Sequence, residues 1–140
     1  MKPLAGRIWT LANAIMLVAF VAAVIVQYND PDPLSWMAIW GAAAIVCGLE
    51  LRRRTRAWLP ALVALVAFGW AATLGPRVVG KVPFGAMFEE FEMRDLGVEE
   101  SREFYGLLLI GGWMTAVAGA AARRPSQRVR TARAARRPGA

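Results

Sequence analysis

Gln27-Tyr28-Asn29-Asp30-Pro31-Asp32-Pro33 is a polar stop between two apolar runs, and its reading decides the fold. The run before it, residues 8–28, carries no charge and is 21 residues long. At about 1.5 Å per helical residue such a run crosses a hydrocarbon core of about 30 Å. The run after it, residues 34–51, holds one charge, Glu50, near its far end. Asp32 stands where a side chain can cap a helix, and Pro33 falls in the first turn, where its missing N–H is not needed. The two runs are therefore expected to form a tight antiparallel hairpin of membrane helices with its tip at residues 29–32.

Working outward, Arg52-Arg53-Arg54-Thr55-Arg56 ends the second run, and a third apolar block follows over residues 57–75, closed by Gly75-Pro76. Pro60 lies early in that block, where it costs less than at a helix centre. The fourth block covers residues 98–122. It opens with the polar turn Glu99-Glu100-Ser101-Arg102-Glu103, placing acids at a helix N-terminus where the macrodipole favours them, and its membrane part begins at Phe104. Phe84, Met87, Phe88 and Phe91 recur at helical spacing with acids on the other side, the pattern of a short amphipathic helix in the membrane interface or lying as a lid on the bundle, broken at Leu96-Gly97. Ala44 and Gly48 in the second run, and Gly111, Thr115 and Gly119 in the fourth, are small-residue stripes of the kind that let membrane helices approach. The expected fold is all-α: a four-span transmembrane bundle over residues 1–122, with a basic disordered tail over residues 123–140.

Charge placement sets the orientation. Of 17 basic residues in the 140-residue chain, 13 lie in the N-terminal segment, the second connection or the tail, all on one side of the bundle. The positive-inside rule makes that side cytoplasmic, so both termini are expected there. Nine of the ten acids fall on the other side. Lys2 and Arg7 resemble the start of a signal peptide, but the apolar run is too long for one and shows no cleavage motif, so an uncleaved first span is expected. A net charge of +7 would in a soluble chain suggest nucleic acid; here the arginine tail is expected to meet anionic lipid, with no nucleic acid partner. The alanine- and arginine-rich composition suggests a bacterial inner (plasma) membrane. The absence of histidine removes His-based zinc and catalytic sites, and the lone Cys47 leaves no intramolecular disulfide.

The topology places Asn29, Asp30 and Asp32 on the same surface as Glu99, Glu100, Arg102 and Glu103, and this polar cluster is the candidate site. These motifs carry a resemblance. Gln27-x-Asn29-Asp30-Pro31-Asp32 with Trp36 following, and Glu99-Glu100-x-Arg102-Glu103-x-x-Gly106-Leu107, resemble the transmembrane protein 220 family of small four-helix membrane proteins. Trp40 stands where that family is expected to carry tyrosine. The resemblance implies the four-span fold and a membrane location, and brings no established activity with it.

Three readings of the cluster compete. Asp30 or Asp32 caps the second span and pairs with Arg102, stapling the two hairpins; or Asn29, Asp30 and Asp32 with Glu99 or Glu103 hold Ca²⁺ or Mg²⁺ through oxygen; or the carboxylates act as acid and base beside an anion-holding arginine. Arg102 amid the ligands opposes a cation, with Asp30, Asp32 and Glu103 the weak metal candidates, and no nucleophile is fixed. Coupled transport needs an ionisable group at membrane depth, and Glu50, beside the arginines, is expected to form a snorkelling ion pair at the membrane surface instead. The leading expectation is a non-enzymatic structural or partner-binding membrane protein without a cofactor, associating with a second copy or another membrane protein. The alternative is a membrane-embedded enzyme, or a divalent-cation or polar-ligand site, at the acidic surface.

Overall fold

A computed structural model describes residues 4–29, 32–81, 83–85 and 96–124. Four long helices are present: α1, Leu4–Val26; α2, Pro33–Leu51; α3, Trp58–Val78; and α4, Leu96–Ala122, with a 3-10 turn, Gln27–Asn29, between the first two. The described residues contain no strand, and all four helices are long and apolar enough to cross a membrane.

Burial shows what solvent this fold needs. Only 11% of the apolar window of α1 is buried, against 39% in α2. Leu11, Ile15, Val18 and Ile25 of α1 and Leu62, Leu65 and Val66 of α3 all face outward. Helices this apolar on their outer faces satisfy their backbones internally and take lipid as the surrounding medium. The protein-facing sides follow helical periodicity: Leu107, Ile110, Met114 and Val117 of α4 have no exposed surface, and α2 buries Ala43, Val46 and Cys47 on one stripe.

Packing divides the bundle into two hairpins. α1 lies chiefly on α2 and α3 chiefly on α4, while α2 also touches α3 and α4. Gly111 makes the α3/α4 approach possible, since a Cβ there would stand 2.6 Å from the ring of Phe68. Gly106 does the same between α4 and α2, where a Cβ would meet the Trp40 indole at 2.9 Å. Among the described residues, α1 and α4 make no close backbone approach, and indoles close the gap. Trp9 stacks on Trp113 at 5.4 Å, and Trp36 stacks on Trp70 at 4.3 Å between α2 and α3. These flat rings fill in between the two hairpins where α1 and α4 stay apart and where α2 meets α3.

Several boundaries differ from the expected ones. α3 runs through Gly75-Pro76 to Val78. Proline removes one hydrogen bond, and Gly75 has no Cβ to clash with the ring that follows, so the helix tolerates Pro76 in its last turn. α4 is continuous from Leu96, so Gly97 lies in its first turn and the acidic residues ride on the same rod as the span. At 27 residues α4 is about 40 Å long, which carries its first turns beyond the hydrocarbon. Of the small-residue stripe on α4 only Gly111 is buried; Thr115 and Gly119 face outward, and the Thr115 hydroxyl donates to its own helix at Gly111 O, 2.8 Å. The expected amphipathic helix falls largely on residues 86–95, which lie outside the described residues, as does the tail beyond Arg124. Phe84, at the start of that segment, packs edge-on against Tyr105 at 5.1 Å.

Candidate functional site

The end of α1, the 3-10 turn and the starts of α2 and α4 enclose a cleft of about 240 Å³. Ala23, Val26, Gln27, Trp36, Trp40, Glu99, Arg102 and Glu103 line it. Helix geometry explains the grouping. Glu99, Arg102 and Glu103 are at i, i+3 and i+4 on α4, and Trp36 and Trp40 at i and i+4 on α2, so each helix presents one face. Trp36 is almost fully buried and its stack on Trp70 fixes its plane. Trp40 is wedged between Phe20, 5.7 Å away, and Gly106, and its indole Nε1 is buried without a hydrogen-bond partner. The result is an apolar wall of indoles with two carboxylates and a guanidinium along one rim.

Not every residue of the expected cluster reaches this cleft. Glu99, Arg102 and Glu103 do; facing them are Gln27 and Trp36, which belong to the other motif but were not among the expected site residues. Glu100 turns away and accepts from Arg77 Nη1 at 2.6 Å, tying the end of α3 to the start of α4. Arg77 was not among the expected partners; its position one residue after Pro76 gives no hint of the pairing. Asp32 occupies the N-cap position of α2 but makes no capping hydrogen bond and is exposed. Pro33 at the first helical position starts the helix through its fixed φ, without a side-chain cap. Asn29 closes the 3-10 turn, and Asp30 lies outside the described residues. Among the described residues no three carboxylate or thiol side chains gather closely enough to hold a metal ion.

At the opposite, basic end the structure contains a polar centre that the charge map did not reveal. Glu50 does not snorkel: it is 6% exposed and points into the bundle. Its Oε1 accepts from the Trp9 indole at 3.1 Å and from the Arg124 guanidinium just past α4. One helical turn deeper, Asn13 is fully buried, donating to Cys47 O at 2.8 Å and accepting from Trp113 Nε1 at 3.3 Å. The signal was in the periodicity. Ala43, Val46, Cys47 and Glu50 fall at i, i+3, i+4 and i+7, which puts Glu50 on the core stripe of α2. Immediately after it the helix ends in a Schellman turn, with Arg54 N–H on Leu49 O, Arg53 N–H on Glu50 O, and Arg53 at φ 54°.

Residues 19–118 match the family model described as Transmembrane family 220, helix. A Xenopus laevis protein named Transmembrane protein 220 is 32% identical over 111 residues, covering 77% of this chain and 57% of that protein. The match thus spans little more than half the length of the Xenopus relative. No solved structure matches the chain. The matched segment includes both walls of the acid-lined cleft.

Proposed function

The chain belongs to transmembrane family 220, and on that premise we propose that it is a non-enzymatic, multi-pass membrane protein that binds a positively charged group in its acid-lined cleft. The observation carrying this reading is the convergence of Trp36 and Trp40 with Glu99, Arg102 and Glu103 around about 240 Å³ of space. Indoles attract cations, and two carboxylates against one guanidinium leave the rim net negative. Among the described residues the lining holds no hydroxyl, thiol or imidazole, and its two carboxylates serve this reading as the anionic partners of the bound cation.

The arginine distribution supports placing this cleft on the non-cytoplasmic face, with both termini inside, and the composition fits a bacterial plasma membrane. Reporter fusions at the C-terminus and in the residue 82–95 segment test the orientation: activity of a cytoplasmic reporter at residue 140 and of an exported one in the segment is expected. Binding is tested by thermal unfolding of the full chain in detergent against small amines, quaternary ammonium compounds and divalent ions. An amine present at 100 times its Kd should stabilise by about 2.7 kcal/mol, and the Glu99→Gln, Glu103→Gln double substitution should remove that gain. A gain from Ca²⁺ or Mg²⁺ with none from amines would instead support the metal reading.

A further inference from the structure

The basic end carries a second pocket, separate from the cleft above. Trp9, Thr10, Asn13, Glu50, Arg53 and Arg124 surround a pocket of about 140 Å³. Two buried atoms there have no hydrogen-bond partner: Glu50 Oε2 and Arg124 Nη1. Their sister atoms are engaged, Oε1 holding both Trp9 and an Arg124 nitrogen, so each side chain is locked by one end and offers the other. The vacant acceptor on Glu50 calls for a donor, and the vacant N–H of Arg124 calls for an acceptor, because a buried polar atom left unpaired is costly. A single ligand supplying both must carry an anionic acceptor and, a short distance away, an N–H or O–H.

Depth narrows the source. Glu50 is the penultimate residue of α2, Arg124 lies just beyond the end of α4, and Trp9 is in the second turn of α1. All three stand where spans end and head groups begin. Two arginines against one carboxylate leave the pocket with a net positive charge, which suits a phosphate. We propose that this pocket binds the head group of a phospholipid whose phosphate is followed by a hydrogen-bond donor, with the phosphate on Arg124 and the donor, an ammonium or hydroxyl, on Glu50 Oε2. Phosphatidylethanolamine has that arrangement. Phosphatidylcholine has the same phosphate and the same net charge, yet its quaternary nitrogen has no N–H to give. The pair therefore separates this pocket from the general attraction of an arginine-rich tail to negative lipid, which responds to charge alone.

The test is native mass spectrometry of the full chain in detergent, titrated with phosphatidylethanolamine or phosphatidylcholine of identical acyl chains, and with inorganic phosphate as the soluble control. Binding of the ethanolamine lipid about tenfold tighter than the choline lipid is expected, the equivalent of one hydrogen bond to a charged group. Glu50→Gln should erase that preference while leaving phosphate-dependent binding, and Arg124→Gln should weaken both lipids. Should those two variants fail to fold, Arg53→Gln serves, because Arg53 is exposed and outside any helix: it should loosen both lipids without moving Tm. Equal affinity for the two lipids, a phosphate titration that displaces neither, or unchanged lipid binding in Arg53→Gln would each overturn the assignment.

Discussion

The two ends of the bundle put their charges to opposite uses. At the acidic end, where most of the carboxylates lie, the described charged groups stay at the rim of a cleft or on the surface: Asp32 is exposed, and the Arg77 side chain of the Arg77–Glu100 pair is 61% exposed. At the basic end one carboxylate, Glu50, is buried beneath an indole and a guanidinium, and Asn13 below it joins three helices. Charge density along a chain therefore does not locate the polar group that matters most to packing. One ionised side chain on a core stripe outweighs a cluster in water, because desolvation makes its partners obligatory.

This contrast can be broken by substitution, and the largest effect is expected at Glu50. Glu50→Ala strands Arg124 and the Trp9 indole and should destabilise the protein by about 3 to 5 kcal/mol, read by chemical unfolding in mixed micelles. A loss below about 1 kcal/mol would show that the basic end is no more coupled than the acidic one. Asn13→Leu should come next, at about 1 to 3 kcal/mol, because the Trp113 N–H loses its buried acceptor and Cys47 O its donor. Far-UV circular dichroism should show the helices intact while the thermal midpoint drops.

Gly106→Ala sharpens the comparison from the cleft side. Its methyl would collide with the Trp40 indole, which Phe20 backs, so overpacking of about 1 to 3 kcal/mol is expected along with altered tryptophan fluorescence. Gly112→Ala, six residues further along the same helix but with open space around it, should be close to neutral and serves as its control. The smallest change is expected for Arg77→Gln, at most about 1 kcal/mol and fading in high salt, as befits an exposed ion pair. A larger, salt-insensitive loss would show that the α3/α4 clamp is shielded from solvent.

Much of the architecture is legible residue by residue. The uncharged run before Gln27, the Asp32-Pro33 start of α2 and the arginines after Leu51 mark three helix ends from local composition. The cleft was legible in part: Glu99, Arg102 and Glu103 share a helical face, but the sequence set them opposite Asn29, Asp30 and Asp32, and the facing of Gln27 and Trp36 depends on how the hairpins pack. Glu100 was not, because facing Arg77 depends on how α3 crosses α4. Pro76 misled for a related reason, since a helix stop reads strongly in sequence while a glycine before it weakens that stop locally.

By itself, the sequence determined that four apolar stretches must find a lipid solvent, where each begins to within a turn or two, and which ends carry which charge. Those are properties of single segments, settled by transfer free energies and backbone hydrogen bonding within each helix. Only the tertiary structure decided that Trp9 stacks on Trp113, that Arg124 reaches Glu50 across 74 residues of chain, and that Trp40 seats on Gly106. Such pairings depend on the rotation and crossing of helices about one another. In a membrane every apolar face is equally content with lipid, so small residues, flat rings and a few buried polar atoms make that choice.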